Sequence, residues 1–481
     1  MSEKKTVPAK YKRLHDVAPS PAYAAFMKSG WAASPLHGIT AGPATPWCVA
    51  RRDVLSEAFT GVRVVLPAGN FKTRSNDDDY RFRPHTAFAY YTGVQGVEAT
   101  ADAVLVMEPT GAGHRPILFM NPRSSRDTDA FYRDARYGEL WVGRRFTLDE
   151  AQARYEIETR KMDELEKLLG EKKETVVLRG EDAVVDDQVV AHKRDEELMI
   201  FVSEHRMIKD AYEISEMELA CESTARGFAD VVRALPAAVA TPRGERVVEA
   251  AFFGRARIEG NDLGYGTISA AGAHACVLHW TRNDGEVRPG ELILVDAGVE
   301  RESYFTADVT RTLPISGKFT PAQRSLYMLV YESQNAGIAA LKPGADWGDF
   351  HRACQKVLAE GLADMGVLTV SAEESLQPEI GLHRRWTLHS AGHMLGMDVH
   401  DCGQARKDHY IEGKLAVGHV LTVEPGLYIQ PDDELFAPEF RGIGIRIEDD
   451  FVITEDGCRN LSGSLPRHPD DIEAWMASIL R

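Results

Sequence analysis

The sequence predicts two domains: a mixed α/β domain ending near residue 200, then a second domain of amphipathic helices and strand runs. Three observations lead there. A chain of 481 residues with 44% hydrophobic residues is globular in composition and too long for one ordinary core. From Val62 onward, short β-rich runs are separated by turn residues. After residue 200 the apolar residues first recur at helical spacing.

Residues 1–60 read as an arm and a helix. The first 50 or so are rich in Ala, Pro, Gly and Ser, which predicts a poorly packed arm, and a helix is expected over Cys48 to Phe59. The α/β domain then spans 61–200. Its strands are expected at VRVVLPAG, FAYYTGV, AVLVME, PILFMN and TVVLRG, with a charged helical stretch between Thr147 and Lys173. The second domain, 201–481, opens on HRMIKDAYEISEMELACESTARGFADVVRAL. There Met217, Cys221, Ala225, Phe228 and Val232 fall on one helical face. A further helix has a complete start signal: Thr320 as N-cap, Pro321 in the first position and Gln323 for a capping box. It should end near Leu341, where LKPG follows. Strand runs dominate the remainder: ELILVDAG, HVLTVEPGLYI and RIEDDFVIT. No repeat of solenoid period and no low-complexity block interrupts this order.

Charge excludes some partners. With 56 Lys+Arg against 73 Asp+Glu the net charge is −17, which repels nucleic acid and anionic bilayers. The longest apolar runs, such as LILV at 292–295, fall far short of the roughly 18–20 residues of a membrane helix. The N-terminal MSEKKTVPAKYKRLHD has basic residues but no apolar stretch after it, so no secretory signal is expected. Six scattered cysteines without a CxxC pair read as reduced thiols, and together these features predict a cytoplasmic protein.

Five residues in the second domain stand out as potential metal ligands: Asp296 in LILVDAG, Asp308 in FTADVTRT, His393 in HSAGHMLGMDVHD, Glu424 in LTVEPGLYI and Glu448 in GIRIEDD. Each carboxylate interrupts or ends an apolar run. An ionised carboxylate there is costly unless it is paired or binds a cation. Singly, each could be solvated or paired with Arg311 or Arg446. Together, four carboxylates and one imidazole exceed the needs of a single ion, and two ions bridged by shared carboxylates fit better. Oxygen-rich ligation with one His and no Cys favours Mn²⁺ over Mg²⁺, Co²⁺ and Zn²⁺. Two ions about 3.5–4 Å apart can hold a bridging hydroxide and polarise a carbonyl, a combination suited to hydrolysis. The His389/His393 spacing is not the zinc-protease HExxH, because Ser390 follows His389 and Gly392 and Gly396 disfavour a helix. His279 in CVLHWT, His389 and His400 compete for roles at the site, against the ordinary alternative of a hydrogen-bonded structural histidine on a mixed strand.

The set VDAGVE…FTADVTRTLPISGKFTPAQR, LHSAGHMLGMDVHD, VLTVEPGLYI and GIGIRIEDDFVIT resembles the aminopeptidase P (Xaa-Pro aminopeptidase) branch of the pita-bread metallopeptidases, over residues 203–463. TRSNDDDYRFRPHTAFAYYTGV more weakly resembles the N-terminal domain of those enzymes. Two departures touch no ligand: Asp296 and Asp308 are twelve positions apart rather than eleven, which places a one-residue insertion in the ERESYF turn, and Gly392 replaces Ser before His393.

The resemblance implies a creatinase/aminopeptidase P-like α/β N-terminal domain and an α+β pita-bread catalytic domain. It implies that Asp296 binds one metal, Asp308 and Glu448 bridge both, and His393 and Glu424 hold the other, with Glu424 also acting as general base. His279 and His400 would bind or polarise the scissile carbonyl, His389 would line the proline pocket, and Arg446 would orient carboxylates and help bind substrate. Tyr428 is a weaker candidate, and Arg144, Arg145 and Arg406 are candidates for contacting the downstream peptide. The substrates would be peptides with an N-terminal Xaa-Pro, a tertiary amide whose restricted geometry resists general peptidases. The enzyme would be a homodimer or homotetramer. Rival readings are an Xaa-Pro dipeptidase on the same scaffold and a non-catalytic peptide-binding module. Methionine aminopeptidase is disfavoured by the extra N-terminal domain, and a creatinase-like metal-free hydrolase by the ligand set.

Overall fold

The computed structural model describes residues 18–76 and 78–480. The expectations for the first seventeen residues, including the absence of a secretory signal, lie outside them. The chain divides into two compact units, with the boundary between Leu198 and Met199.

In the first unit the helix after the arm is Thr45–Ala58, started by a proline in its first turn. It stands beside a five-stranded sheet in the order Glu158–Lys161, Gly113–Met120, Val104–Thr110, Arg63–Pro67, Thr175–Val177. The central strands are antiparallel and the two outer ones parallel to their neighbours. Arg63 is fully buried and donates to Glu108 at 2.6 Å, a charged pair across adjacent strands. The arm is better anchored than its composition suggests: Trp31 meets Phe131 edge-on at 5.3 Å, and Arg123 donates to the Ser34 hydroxyl at 2.8 Å.

Two expectations fail in this unit. FAYYTGV is not a strand but the helix Thr86–Thr92, capped by the His85 ring, which accepts from Ala87 N–H, and closed by Gly93 at φ +73°. All seven helical residues are buried, so no polar face remains to mark the helical period. The stretch 147–173 is not one helix. Leu148–Tyr155 starts with a Thr147/Glu150 capping box and stops at Glu156 in the left-handed region, φ +51°. The following Glu158–Lys161 becomes an edge strand.

The boundary falls inside a helix, Asp195–Glu204, that the sequence reading leaves out. The long helix begins at Ala211 rather than with HRMIKD, because Asp210 and Glu213 form a capping box there, and runs to Val239. Met217, Cys221, Phe228 and Val232 are buried as the spacing requires. It packs on Gly244–Glu259, where Gly227 gives room for the ring of Phe252; a Cβ at 227 would lie 2.6 Å from that ring. Pro321–Ala340 starts with the Thr320/Gln323 capping box and pairs with Gly348–Asp364.

These helices cover two antiparallel three-stranded sheets, ordered Val309–Pro314, Leu292–Ala297, Ile268–Ala271 and Val420–Val423, Asp449–Thr454, Gly457–Asn460. A two-stranded ribbon is formed by Gly426–Ile429 and Ile443–Arg446. The segment CVLHWT is not a strand; it follows a 3₁₀ turn, Gly272–Cys276, and continues irregularly. Among the described residues no helix is long and apolar enough to cross a membrane.

Candidate metal centre

Four of the five candidate ligands come from the strands of these sheets and the links between them, and the fifth from an irregular segment beside them. Asp296 lies on Leu292–Ala297, directly opposite Thr310, and Asp308 is the residue before Val309–Pro314, so the antiparallel pairing brings the two carboxylates close. Glu424 and Glu448 occupy the two-residue links between each ribbon strand and its neighbour: Glu424-Pro425 joins Val420–Val423 to Gly426–Ile429, and Ile447-Glu448 joins Ile443–Arg446 to Asp449–Thr454. In these links the backbone leaves one pairing for another and the side chains turn inward.

His393 lies in an irregular segment that runs beside Val420–Val423. Its N–H donates to the Thr422 hydroxyl at 3.1 Å, and Thr422 N–H donates back to the His393 carbonyl at 3.0 Å. A Cβ on Gly392 would collide with the Thr422 carbonyl, so this close approach explains why glycine precedes His393.

Asp308, His393 and Glu448 can present ligand atoms that all lie within 4.8 Å of one another. His393 Nε2 is 3.3 Å from Asp308 Oδ2 and 3.7 Å from Glu424 Oε1. Asp296 is 7% exposed and engaged on both oxygens: Arg446 donates to Oδ2 at 2.5 Å and Tyr265 hydroxyl to Oδ1 at 2.6 Å. Each oxygen keeps a second lone pair for a cation. All five residues line one cavity of about 520 Å³ together with His279, His389, His400 and Arg446. His279 and His400 are exposed, His400 standing edge-on to His393 at 4.4 Å.

The electrostatics call for positive charge. Burial, opposed by His393 and Arg446, pushes the Glu424 carboxyl up to about 7. Glu448 is raised well above the carboxylate range by burial and by Asp308, Glu424 and Asp296. Burial would lower His393, but Asp308 and Glu424 outweigh it and leave the ring at about 9. Four carboxylates crowded in this way repel one another as anions, and a divalent cation is the charge that lets all of them ionise. The donor set fits such ions: four carboxylates, one imidazole and no thiol. Nδ1 of His393 lies 3.0 Å from the Met394 carbonyl, which turns Nε2 towards Asp308 and Glu424 as the candidate ligand atom.

His389 is held differently from the other histidines. Its Nδ1 is 2.7 Å from the Ser390 carbonyl and its Nε2 2.7 Å from the Tyr428 hydroxyl, which also accepts from Arg446 at 3.0 Å. Burial, with Arg446 nearby, drops it to about 3, so it is a neutral hydrogen-bonding ring. Arg311 pairs with Asp449 rather than with a candidate ligand. Arg144 binds Glu150, Arg145 donates to three backbone carbonyls, and Arg406 pairs with Glu204 on the surface.

Sequence reasoning missed three supports. Tyr265 has no motif around it. Thr310 donates to Glu448 at 2.6 Å and accepts from Arg446 at 3.1 Å; only strand alternation, which puts it opposite Asp296, hints at that. Asp450 accepts the Asp308 N–H at 3.0 Å, and its place in the acidic EDD run looks like solvated charge.

Comparison with known proteins identifies the family. Residues 215–455 match the metallopeptidase family M24, and residues 48–177 match the aminopeptidase P N-terminal domain. The chain is 54% identical to Xaa-Pro aminopeptidase 1 of Streptomyces coelicolor, over 94% of this chain and 91% of that one. It is 33% identical to the Xaa-Pro aminopeptidase of Escherichia coli, over 89% and 97%. Among solved structures, zinc-substituted E. coli aminopeptidase P in complex with product superposes with a TM-score of 0.79 at 31% identity, covering 90% of this chain and 98% of that one. The Pseudomonas aeruginosa aminopeptidase PepP superposes at 0.78 and 30%, covering 92% and 99%. With both halves of the chain matched in order, the chain belongs to metallopeptidase family M24, with an aminopeptidase P N-terminal domain ahead of a pita-bread catalytic domain.

Proposed function

We propose that this chain is a metal-dependent Xaa-Pro aminopeptidase that releases the N-terminal residue from peptides with proline in the second position. The observation behind the reading is the convergence of Asp296, Asp308, His393, Glu424 and Glu448 on one cavity that also presents His279, His389 and His400. Similarity to enzymes named Xaa-Pro aminopeptidase over nearly the whole chain supports the substrate class.

In this reading the five residues would hold two divalent ions, with Asp308 and Glu448 as the carboxylates that could serve both, and Mn²⁺ would suit the oxygen-rich set. Such a pair, when bound, supplies an activated water and polarises the carbonyl to be attacked. Glu424, beside His393 in the same cavity, would take and return the proton of the attacking water. His279 and His400 face the cavity as donors for the oxygen that becomes negative. His389 lines the pocket for the proline ring. Arg446 is fixed by Asp296, Tyr428 and Thr310, and keeps the Asp296 carboxylate in place in the cavity.

The division into arm and helix at 1–60, N-terminal domain at 61–200 and catalytic domain at 201–481 belongs to the same reading, as does a homodimer or homotetramer. A cytoplasmic location suits six cysteines that are joined by no disulfide among the described residues.

Metal-stripped protein, assayed with and without Mn²⁺ on an Xaa-Pro tripeptide and an Xaa-Pro dipeptide, tests the proposal. Cleavage of the tripeptide that disappears on stripping and returns with Mn²⁺ is the expected result. Full activity without metal overturns the metal reading, and cleavage of the dipeptide alone makes the chain a dipeptidase.

A further inference from the structure

Glu245 is fully buried in the first turn of Gly244–Glu259, and it has four hydrogen-bond donors around it. Ala271 N–H donates to Oε1 at 2.8 Å, and His274 Nδ1 lies 2.8 Å from the same oxygen. Gly285 N–H donates to Oε2 at 2.7 Å and Trp280 Nε1–H at 2.9 Å. The His274 and Trp280 rings stack with centroids 3.9 Å apart. Gly285 N–H reaches the carboxylate only because residue 285 is glycine: a Cβ there would lie 2.6 Å from the His274 ring and 2.8 Å from Glu245 Oε2.

One carboxylate thus gathers the start, middle and end of the irregular segment 271–285. That segment carries His279 into the cavity. Among the described residues the His279 imidazole has no hydrogen-bond partner, so its position depends on the backbone that bears it and on Trp280 next to it. A second clamp, buried Asn283, accepts from Ser269 N–H at 3.0 Å and donates to the Thr267 carbonyl at 2.9 Å. It ties the segment's far end to the strand and leaves its middle to Glu245.

We propose that Glu245 is a positioning residue for the reaction: it holds the His279 loop, through Trp280 and His274, so that the imidazole meets the scissile carbonyl. The inference rests on the role given to His279 above. All four partners donate, so both oxygens must accept, and only a carboxylate meets that demand. A glutamine in the same volume turns an NH₂ towards two N–H donors and loses two of the four bonds. A donor displaced by even 1 Å loses much of its effect on turnover.

The test is a double-mutant cycle of Glu245→Gln with His279→Ala on the metal-loaded full chain, with kcat, KM and melting temperature measured for each. We expect Glu245→Gln to lower kcat at least tenfold with a smaller change in KM. In the His279→Ala background it should lower kcat by less than threefold, because there is no imidazole left to position. Equal factors in both backgrounds, or unchanged kcat with only a lower melting temperature, overturn the proposal and leave Glu245 a structural residue. If His279→Ala itself turns over like wild type, the role of His279 fails, and the positioning with it. Trp280→Phe, which removes one donor and keeps the ring, runs the same cycle should Glu245→Gln fail to fold.

Discussion

Replacing Asp401 by asparagine is expected to destabilise the catalytic unit more than removing its partner Lys209. Asp401 follows His400 and is 2% exposed. Its Oδ1 accepts from Arg206 Nε at 3.2 Å and Nη2 at 3.0 Å, and its Oδ2 from Lys209 Nζ at 3.1 Å, with both cations buried. Burial works against its charge, but Lys209 and Arg206 hold the carboxyl below the ordinary range, so it is ionised at neutral pH. Asp401→Asn leaves two buried cations around a neutral amide that can accept on one side only. Breaking a buried ion pair in this way costs about 3–5 kcal/mol. Lys209→Met leaves Arg206 and Asp401 as a balanced pair and loses one charged hydrogen bond, about 1.5–3 kcal/mol. At roughly 2–4 °C per kcal/mol for a unit of this size, the melting temperature should fall by on the order of 10 °C for Asp401→Asn and by roughly 5 °C for Lys209→Met. Thermal unfolding followed by circular dichroism reads both. A Lys209→Met variant that melts at or below Asp401→Asn would refute the argument, because it would mean that the carboxylate was not the group holding the cluster together.

Glu424→Gln keeps an oxygen ligand but removes the base, so turnover should fall by ~10² or more while fold and metal content persist; wild-type turnover in steady-state kinetics would remove Glu424 from proton transfer. In the N-terminal unit, burial tends to raise Glu150, but Arg144 and the N–H groups of Thr147 and Leu36 overcome it and hold the carboxyl at about 2, against an ordinary 4.5. A depressed folded pKa adds stability above the unfolded value and loses it as pH falls through the folded one, so about 3 kcal/mol should disappear between pH 4.5 and 2. Urea melts at pH 6 and pH 3 should show the deficit of Glu150→Gln falling to roughly half or less at the lower pH, because a carboxyl with a folded pKa of about 2 is still ionised at pH 3 and keeps part of its contribution; an equal deficit at both would contradict the assignment.

The sequence by itself singled out the candidate ligands, because a carboxylate that breaks an apolar strand is anomalous wherever it sits, and Glu424 and Glu448 are visible for that reason alone. It also determined the helices with local caps, such as Pro321–Ala340 with Thr320 and Gln323, since a capping box involves residues only three apart. Only the tertiary structure decided which groups hold the site in place. Arg206 and Asp401 are 195 positions apart, and Arg446 and Asp296 are 150. Glu245 in a helix and Tyr265 beside a strand look like ordinary surface residues until folding buries them against their partners. The helix Thr86–Thr92 was hidden for the opposite reason: burial on every side erases the polar face by which a helix is read. A local signal survives in the sequence because the interaction is itself local, whereas a buried hydrogen-bond network exists only once the chain has brought distant segments together and excluded water from between them.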